Sequence, residues 1–459
     1  MSMKLRKILF RTDSSSTIGT GHIMRDLVLA SRYKDAKVIF ATQNLEGNIN
    51  YKIKEAGYEL IFLNSNDVDE FVDVVEKYSA DMVVIDHYGI DAKYEQSLKE
   101  KTGVKILAFD DTYEKHHCDI LLNHNISADA SRYKELVPKE CELWCGAEHT
   151  LLREEFMQPF PPKQKSVTTK VLVAMGGVDS KALNIEILKV LEQFSNLEID
   201  LVTTQANKNL AKLQAYVANK AHITLHINTN KMALLMHNAD FGIFTPSVTV
   251  NEAHFMKLPF IAIQTEENQK DIYHYLYSHG YEVLASFDPQ KLQKKVEVLV
   301  ESNACELIAF SEMTLDEAEM VLVWRNSKNV KKWMYNQENI TLEEHLNYIK
   351  TLSKREDRAY FLLKGKRGYL GVVDVTNITK ESAEIGIYAN PNTQGFGKVL
   401  MRVILAYAFE QLQLQRVEAH VYEKNKKAIA LYERFGFKIY DTKEDKHGTI
   451  LQMELKNAD

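Results

Sequence analysis

The sequence predicts an α/β protein in which two parallel-sheet domains are followed by an α+β domain. Up to about residue 303, short apolar runs alternate with helical patterns, which is typical of parallel, doubly wound sheets. Twice in this part a strand pattern runs into a glycine loop, first at Gly19 and Gly21 and then at Gly176 and Gly177. Later strand patterns follow one another across short connections, so we expect a mixed, mostly antiparallel sheet there. The predicted domains are 1–157, 163–303 and 305–459.

The composition is that of a globular protein with more than one domain. The chain has 459 residues, more than one hydrophobic core usually spans, and a formal net charge of −6. It shows no basic stripe, no signal peptide and no apolar run long enough to cross a bilayer. Its four cysteines lack the paired CxxC spacing of zinc sites; they are Cys118, Cys141, Cys145 and Cys305. We therefore expect a cytoplasmic protein that binds neither nucleic acid nor membrane and needs no metal.

The first domain is predicted as a series of strands separated by helices. Its strand patterns are Ile8–Phe10, Val38–Phe40, Glu59–Leu63, Met82–Asp86, Val104–Phe109 and Ile120–Leu122, and its helical patterns start at His22, Tyr51 and Val68. Ligands of doubly wound sheets sit beyond the carboxyl ends of the strands. The polar residues at those ends are therefore candidates for a site, although a turn or cap role is open for each: His22, Asp86, Tyr88, Asp110, Asp111 and Asn123.

The first glycine loop leads directly into the helix that begins at His22. A strand, a loop and a helix in this order leave backbone N–H groups at a helix N-terminus, where the dipole favours an anion. The spacing is neither that of a phosphate P-loop nor that of a dinucleotide fingerprint. An imidazole here can titrate near neutral pH and reach a ligand held by the loop, or it can simply cap the helix.

The second domain repeats the strand, loop and helix order after a proline-rich segment at 158–163, which predicts a stiff connection. Its strand patterns are Val171–Met175, Ile199–Thr203, Ile223–Ile227, Phe241–Phe244 and Phe260–Ile263. Its helical patterns are one that follows Asp179 and ends at Val190, then Met232–Asn238, one from near Val250, and 288–303. Two such domains in succession leave a cleft between them, which is a preferred place for ligands.

The motifs of these two domains resemble a known family. Two Rossmann-like domains with an N-terminal glycine loop are similar to the GT-B nucleotide-sugar enzymes. More closely, Arg11-x-Asp13, Ile18-Gly-x-Gly-His22-x-x-Arg25, Asp86-x-Tyr88 and Glu267-Asn268-Gln269 resemble the UDP-sugar hydrolases of pseudaminic acid biosynthesis over about residues 1–300. The resemblance implies that His22 is the catalytic histidine, which assists the attack of water, and that UDP binds in the second domain.

The same resemblance implies the remaining substrate-binding residues, which are Asp13, Gly19, Gly21, Arg25, Tyr88, Gly176, Gly177, Ser247, Glu252 and Asn268. The chemistry agrees with these assignments. A neutral imidazole can orient or deprotonate the attacking water. The N–H groups of a Gly-Gly turn at a helix start can carry the charge of the leaving diphosphate without a metal. A carboxylate such as that of Glu252 suits the hydroxyls of a ribose.

The third domain opens with a strand at Ile308–Phe310 and a helix at Leu315–Trp324. Further strand patterns are Ala359–Leu363, Tyr369–Val375, Glu381–Tyr388 and Val417–Val421, with Gly365-Lys-Arg-Gly368 joining the first two. The loop Gln394-Gly-Phe-Gly-Lys398 then runs into an apolar helix that ends near Phe409. Its glycines expose successive N–H groups at a helix start, which suits a pyrophosphate.

This loop, with Asn425-x-x-Ala-x-x-Leu-Tyr432-x-x-x-Gly-Phe about 30 residues later, resembles the GNAT acyl-CoA N-acetyltransferases over about residues 305–459. The resemblance implies acetyl-CoA as cosubstrate, with Asn425 near its thiol arm and Tyr432 as the acid that protonates the leaving thiolate. Tyr432 could instead be a packed aromatic. The base could be Glu418 or a chain of waters. The implied cofactor-binding residues are Gln394, Gly395, Phe396, Gly397, Lys398 and Asn425.

Trp324-Arg325-Asn326 and Trp333-Met334-Tyr335 resemble the GNAT enzymes that acetylate a UDP-4-amino sugar in the same pathway, although these aromatics could also be packed in a helix. The two resemblances imply acetylation of UDP-4-amino-4,6-dideoxy-N-acetyl-β-L-altrosamine, followed by hydrolysis to UDP and 2,4-diacetamido-2,4,6-trideoxy-L-altrose. The alternatives are a GT-B glycosyltransferase joined to a GNAT, and a non-catalytic nucleotide-sugar sensor joined to a protein N-acetyltransferase. The stereochemistry of the sugar, channelling of the intermediate, the oligomeric state and the domain orientation stay open.

Overall fold

The computed structural model describes residues 6–163, 168–366 and 368–457. The ends of the first and third predicted domains (1–5 and 458–459), residues 164–167 of the second and Arg367 in the predicted 365–368 connection lie outside the described residues. The chain divides into two compact units. The first unit comprises Met1–Pro162, Lys231–His237 and Ser247–Lys257, and the second comprises Lys163–Asn230, Asn238–Pro246 and Leu258–Asp459.

The first sheet has seven strands, which are β1 (Arg6–Thr12), β2 (Ala36–Gln43), β3 (Glu59–Leu63), β4 (Met82–Asp86), β5 (Lys105–Phe109), β6 (Ile120–Asn123) and β7 (Glu142–Cys145). Their order is β3-β2-β1-β4-β5-β6-β7, and all neighbours are parallel. Alternate residues of a strand point to opposite faces, so Leu9 packs into one buried cluster and Phe10 into another. The sheet is covered on both faces, which confirms the doubly wound class for this region.

The helices of this region are α1 (Gly21–Arg32), α2 (Tyr51–Glu55), α3 (Val68–Tyr78) and α4 (Ala92–Thr102). Local chemistry sets their ends. The side chain of Asp67 accepts a hydrogen bond from the first turn of α3, and that of Asp91 does the same for α4. Gly103 ends α4 with φ 67°. The sequence analysis missed α4 and β7, because α4 is rich in charged residues and β7 has only four residues.

The second sheet has six strands, which are β8 (Thr169–Ala174), β9 (Leu197–Thr203), β10 (Ile223–Ile227), β11 (Phe241–Phe244), β12 (Phe260–Ile263) and β13 (Glu282–Leu284). Their order is β10-β9-β8-β11-β12-β13, again with parallel neighbours. The helices along this stretch are α5 (Leu183–Leu191), α6 (Leu210–Val217), α7 (Met232–Asn238), α8 (Val248–Phe255), α9 (Lys270–Ser278) and α10 (Pro289–Asn303). No helix among the described residues combines the length and apolar character that a bilayer crossing requires.

The third sheet contains β14 (Glu306–Ala309), β15 (Arg358–Gly365), β16 (Gly368–Thr376), β17 (Ser382–Ala389), β18 (Arg416–Tyr422), β19 (Lys438–Asp445) and β20 (Gly448–Lys456), in the order β14-β15-β16-β17-β18-β20-β19. All neighbours are antiparallel except β17 and β18. The mixed, mostly antiparallel sheet is thus confirmed. Its helices are α11 (Leu315–Asn326), α12 (Lys328–Lys331), α13 (Leu342–Leu352), α14 (Gly397–Ala406) and α15 (Lys426–Arg434).

Within the second unit, one buried carboxylate joins the second sheet to helices of the third. Glu282, at the start of β13, is 4% exposed and forms ion pairs with three cations: Lys295 of α10, Lys398 of α14 at 2.9 Å and Arg434 of α15 at 3.4 Å. Burial favours the neutral carboxyl, but the neighbouring cations prevail and hold the pKa of Glu282 at about 2. Nearby, Gly280 has φ +79°, and a Cβ there would lie 1.7 Å from the carbonyl oxygen of Arg434. The loop before β13 of the second sheet and the end of α15 of the third domain are therefore in close contact.

The ion pairs of Glu282 predict a pH-dependent stability. Because the pKa is lower in the folded chain than in the unfolded chain, the stabilisation is present above about pH 4.5 and is lost as the pH falls towards 2. Glu282→Gln should lower the free energy of unfolding by roughly 3 kcal/mol near neutral pH and progressively less below about pH 4.5. Urea titrations followed by circular dichroism measure this. Glu433→Gln, at an exposed position of α15, is the matched control. An equal deficit near pH 7 and pH 3 would contradict the assignment.

Candidate active sites

The predicted histidine lies in the first turn of α1 and is bound to a buried carboxylate. Nδ1 of His22 is 2.5 Å from Oδ1 of Asp86, the last residue of β4. The guanidinium of Arg25, one turn further along α1, donates to both oxygens of Asp86, from Nε to Oδ2 at 2.5 Å and from Nη2 to Oδ1 at 2.5 Å. Nη1 of Arg25 also donates to Oδ2 of Asp111 at 3.0 Å. The start of α1 and the ends of β4 and β5 thus place a histidine, an arginine and two carboxylates together.

The charges of this cluster are set by burial and by Arg25. Burial alone would raise the pKa of Asp86, but the Arg25 guanidinium and the hydrogen bonds from Arg25 and His22 hold it well below its usual range. Asp26 is fully buried beside this anion, and burial together with the charge of Asp86 raises its pKa well above the ordinary value. Asp86 is therefore the anion of this pair at neutral pH.

Tyr88 covers the histidine ring. The two ring centroids are 4.8 Å apart in an edge-on arrangement, and the Tyr88 hydroxyl donates to Oδ1 of Asp111 at 3.0 Å. Burial of the hydroxyl and the charge of Asp111 raise the pKa of Tyr88 to about 12, so the phenol is neutral. The residue as a whole is 66% exposed, so its ring can meet a ligand. His22, Arg25 and Tyr88, which the family resemblance implied as site residues, are joined through Asp86 and Asp111.

His124, which directly follows β6, also lies close to Arg25 and its neighbours, although it was not proposed as a site residue. It is 3% exposed, and burial together with the charge of Arg25 lowers its pKa to about 4. Its ring meets that of Phe109 edge-on with centroids 6.3 Å apart, and the Arg25 guanidinium lies 4.9 Å from the same Phe109 ring. The signal for His124 was its position at a strand end, which the sequence analysis noted for its neighbour Asn123 alone.

Asp13 forms a second buried cluster at the end of β1. Arg11 pairs with it at 3.0 Å, the backbone N–H of Gln43 donates at 2.6 Å, and Nε2 of His87 lies 3.1 Å away. Burial opposes the charge of Asp13, but the bonds from His87 and Arg11 hold its pKa at about 2. Both carboxylate oxygens are engaged within the protein. Asp13 therefore ties together the ends of β1, β2 and β4, which favours a positioning role over contact with substrate.

The glycine loop before α1 has open space beside it. Gly19, with φ +88°, exchanges backbone hydrogen bonds with Ser15 at 2.9 and 3.3 Å, which closes the loop. A Cβ at Gly19 or at Gly21 would meet no atom of the described chain within 4 Å. Thr20 precedes α1 without a side-chain cap, so the first N–H groups of the helix stay open towards His22.

The second glycine pair does not form the helix start that the sequence predicted. Five residues separate Gly177 from α5, which begins at Leu183. The carboxylate of Asp179 accepts hydrogen bonds from the N–H groups of Leu183 at 2.8 Å and of Asn184 at 3.1 Å, so a side chain already occupies the N-terminus of α5. Gly177 itself accepts from the Thr204 hydroxyl at 2.8 Å. Asp179 itself has a positive φ of 44°.

The other predicted nucleotide residues are spread over both units. Ser247 and Glu252, before and within α8, belong to the first unit, and Asn268 is exposed on a single 3-10 turn after β12 in the second. Oε1 of Glu252 accepts from Nε of Arg153 at 3.1 Å and from Nη2 at 2.9 Å, and burial raises the pKa of this carboxyl. Glu252 thus already pairs with a protein cation. A ribose would have to share this carboxylate with Arg153.

The third sheet opens where the acetyltransferase site was predicted. In the part of the chain described, β17 and β18 are paired only from Ser382↔Arg416 to Glu384↔Glu418, although β17 continues to Ala389 and β18 to Tyr422. Gln394 and Gly395 lie in the loop between β17 and α14, and Gly395 has φ +93° with nothing within 4 Å of an added Cβ. Phe396 precedes α14 without a side-chain cap, and Gly397 is its first residue. This geometry suits an anionic group at the helix start.

The remaining predicted residues of this site are engaged within the protein. Lys398 binds Glu282, as described above, so its ammonium is directed to the second sheet. Asn425 caps α15, its Oδ1 accepting from the N–H of Ala428 at 3.3 Å. Tyr432 is 5% exposed and meets Phe437 edge-on at 5.2 Å, while burial and the charges of Asp374 and Glu384 raise its pKa well above the usual range. Trp324 is packed in the apolar cluster around Phe310.

No group of three or more His, Cys, Asp and Glu residues that could hold a metal occurs among the described residues. Sγ of Cys118 lies 3.6 Å from Sγ of Cys141, and neither cysteine forms a disulfide.

Comparison with known proteins finds relatives of both the N-terminal and the C-terminal regions of the chain. Residues 308–438 match the family described as acetyltransferase (GNAT) domain. Over 277 residues, 60% of the chain, the sequence is 42% identical to the UDP-2,4-diacetamido-2,4,6-trideoxy-β-L-altropyranose hydrolase of Campylobacter jejuni, of which 98% is covered. Over 136 residues, 30% of the chain, it is 39% identical to the acetyltransferase PseH of the same species, of which 86% is covered. The crystal structure of C. jejuni PseH in complex with acetyl coenzyme A aligns with 34% of this chain and 99% of its own, with 36% identity and a TM-score of 0.29.

The sheets and the matched sequences define a fusion of a Rossmann-like α/β enzyme with a GNAT acetyltransferase. The chain belongs to the family of the UDP-2,4-diacetamido-2,4,6-trideoxy-β-L-altropyranose hydrolase in its N-terminal region and to the PseH acetyltransferase family in its C-terminal region.

The contact between His22 and Asp86 predicts the tautomer of the histidine. Because the carboxylate of Asp86 accepts from Nδ1, the neutral ring should carry its proton on Nδ1 and leave Nε2 as an acceptor. Two-bond ¹H–¹⁵N correlation spectra of histidine-labelled protein distinguish the two tautomers. Asp86→Asn, which removes the anion, should shift the ring towards a mixture. An Nε2-protonated ring in the wild type would contradict the prediction.

Proposed function

We propose that this chain is a bifunctional enzyme of pseudaminic acid biosynthesis. Its C-terminal part transfers acetyl from acetyl-CoA to UDP-4-amino-4,6-dideoxy-N-acetyl-β-L-altrosamine. Its N-terminal part then hydrolyses UDP-2,4-diacetamido-2,4,6-trideoxy-β-L-altropyranose to UDP and the free sugar. The observation that carries the proposal is that one chain joins a relative of this hydrolase to a relative of PseH, so that the product of one step is the substrate of the next. Acetyl-CoA and UDP-sugars are cytoplasmic metabolites, and we place the enzyme there.

In the hydrolytic step, His22 orients and deprotonates the attacking water. Asp86 supports this role, because its hydrogen bond to Nδ1 leaves Nε2 as the proton acceptor and its charge stabilises the imidazolium that forms. Arg25 holds Asp86 ionised and fixes its orientation through two hydrogen bonds. The exposed ring of Tyr88 covers the histidine on the side where a sugar can stack. The UDP-binding roles of Gly176, Gly177, Ser247, Glu252 and Asn268 stay predictions.

In the acetyl-transfer step, the loop from Gln394 to Gly397 binds the pyrophosphate of acetyl-CoA through backbone N–H groups at the start of α14. The separation of β17 from β18 gives the pantetheine arm a place to pair with strand backbone. Tyr432 donates the proton to the leaving thiolate. Its raised pKa keeps the phenol protonated at neutral pH, as this role requires.

The test of both activities is one incubation of the full chain with acetyl-CoA and the UDP-4-amino sugar, in which CoA, UDP and free sugar are followed together. We expect CoA to appear first, followed by UDP and free sugar in equal amounts. Release of UDP only when an acceptor sugar is added would instead indicate a glycosyltransferase. Consumption of acetyl-CoA by peptides, but not by the UDP-sugar, would indicate a protein N-acetyltransferase.

His22→Asn should abolish UDP release and leave acetyl transfer unchanged. The expected loss in kcat for hydrolysis of the diacetamido UDP-sugar is about 10²- to 10⁴-fold, the usual contribution of a general base. The released UDP is measured by coupled assay, and CoA release is measured on the same preparation. His117→Asn, a half-buried histidine of the same unit, is the matched control. Loss of both activities together would contradict separate sites.

Tyr432→Phe should have the opposite effect. Removing the hydroxyl takes away the proton donor for the thiolate, so kcat for CoA release should fall by about 10²-fold or more while UDP release from the diacetamido UDP-sugar is retained. Tyr440→Phe, on the exposed side of β19, is the matched control. Unchanged CoA release by Tyr432→Phe would assign Tyr432 to packing alone.

A further inference from the structure

The sequence left the base of the acetyl-transfer step unassigned, and one face of the third sheet carries a candidate. Antiparallel pairing places Tyr360 of β15, Asp374 of β16 and Gly386 of β17 opposite one another in a single row. Residues two apart on a strand share a face, so Glu384 of β17 lies on the same face as Asp374. The neighbouring residues Val373 and Val375 point the other way, into the apolar core. Asp374 is thus a carboxylate between Glu384 and an apolar cluster on the same face that includes Val372 and Leu362.

Gly386 gives the carboxylate of Asp374 its position. A Cβ at Gly386 would lie 2.5 Å from Oδ2 and 2.7 Å from Oδ1 of Asp374, distances that real side chains do not tolerate. The carboxylate therefore occupies the space above β17 that any other residue at position 386 would fill. It leans across β17 towards β18.

This is the point at which the two strands separate. The last paired residues are Glu384 and Glu418, and Gly386 is two residues further along β17. On the other side of the opening, His420 of β18 is held at 3.1 Å by Glu384 and at 2.8 Å by the Tyr335 hydroxyl. Asp374 consequently lies at the polar end of the opening in which an acetyl thioester and an amine would meet.

The other acidic and basic groups of this face are already engaged. Glu384 bonds to His420 and to Asn377, and Nε2 of His420 is 3.2 Å from Gln452. Glu418, the carboxylate that the sequence analysis considered, pairs with Arg416 at 3.0 Å and accepts from the Tyr440 hydroxyl at 2.9 Å. Over 6–163, 168–366 and 368–457, by contrast, the carboxylate of Asp374 makes neither a hydrogen bond nor an ion pair.

We propose that Asp374 is the catalytic base that accepts the proton of the attacking amine in acetyl transfer. The inference rests on the proposed function, because it requires an amine as the acceptor. It also connects with the predicted acid: Tyr432 packs in the apolar core on the other face of the same sheet, and the charge of Asp374 contributes to the raised pKa of Tyr432. A base and an acid on either side of one opening can serve a single reacting centre.

The charged surroundings of Asp374 suit this role at neutral pH. Burial and the nearby charge of Glu384 raise the pKa of Asp374 to about 7, and Arg358 of β15 partly opposes them. The other titratable groups on this face include Tyr360, opposite Asp374 on β15, and Tyr388, two residues beyond Gly386 on β17. The charge of Arg325 of α11 partly opposes the rise in the pKa of Tyr388. Since a base acts in its deprotonated form, the rate should rise with pH through about 7.

The protons balance over the whole reaction. The substrate ammonium gives one proton to the Asp374 carboxylate, and the neutral amine attacks the thioester carbonyl, forming the C–N bond. Collapse of the tetrahedral intermediate breaks the C–S bond, and the thiolate takes a proton from Tyr432. The nitrogen then gives its second proton back to Tyr432. The products are the amide, CoA thiol and one proton, which Asp374 returns to solvent.

Asp374→Asn in the full chain tests the proposal. With saturating acetyl-CoA and the UDP-4-amino sugar, kcat for CoA release near pH 7 should fall by about 100-fold or more, and the rise of kcat through pH 7 should disappear. The KM for acetyl-CoA should change by less than about two-fold, and UDP release from the diacetamido UDP-sugar should be retained, which shows that the variant is folded. Asp441→Asn, on the exposed strand β19, is the matched control and should keep the wild-type rate and pH profile.

Gly386→Ala is a second, independent test of the role of Asp374. The added methyl group displaces the carboxylate without removing it, so kcat should fall while hydrolysis is retained. Wild-type rates and pH profile in Asp374→Asn would overturn the inference alone. Failure of the wild type to acetylate the UDP-4-amino sugar would overturn the proposed function, and the inference with it.

Discussion

The N-terminal site depends on the ionised carboxylate of Asp86. It is almost completely buried, yet it stays charged because Arg25 donates two hydrogen bonds to it and His22 contributes a third. Because a buried charge without partners would be costly, α1 must place Arg25 and His22 against Asp86 at the end of β4. His22 and Tyr88 follow from that constraint, one on the helix and one after the strand. The chemistry of the site is therefore set by the packing of one helix against the end of one strand.

In the second unit a comparable ion cluster serves a different purpose. Glu282 of the second sheet pairs with cations on α10, α14 and α15, and the last two belong to the acetyltransferase sheet. Lys398 is one of these cations, although its place beside the glycine loop suggested a contact with acetyl-CoA. Helix α14, at whose start we propose that pyrophosphate binds, is consequently anchored on a neighbouring α/β layer. Whether a basic residue near the glycine loop has a ligand-binding or a structural role is decided by the ion pairs that it forms in the folded chain.

Local patterns were enough to predict much of the fold. Strands β3 and β12 are short runs of mostly apolar residues, and their predicted bounds, Glu59–Leu63 and Phe260–Ile263, agree with the structure. His22 and Tyr88 were candidates because they lie at strand ends, whereas Arg25 was proposed only from the family resemblance. Other features depend on contacts between residues distant in sequence. Nothing in Asp179 itself reveals that it caps α5, and nothing in Asp374 reveals that Gly386 leaves room for its carboxylate. Register across strands decides both the face and the partner of such a residue, and a single sequence does not encode it locally.

The close approach of Gly280 to the backbone of α15 bears on how the chain can be dissected. Val298 of α10 packs with Cys305 and Leu307 against the core of the third sheet, so a cut near residue 304 would divide a continuous apolar layer. An excised acetyltransferase fragment would expose this layer next to Lys398 and Arg434, both deprived of their counter-ion. The unpaired cations would make such a fragment bind polyanions non-specifically, and its exposed apolar layer would lower its solubility. A fragment designed for crystallisation of the acetyltransferase domain alone should therefore retain α10 and β13.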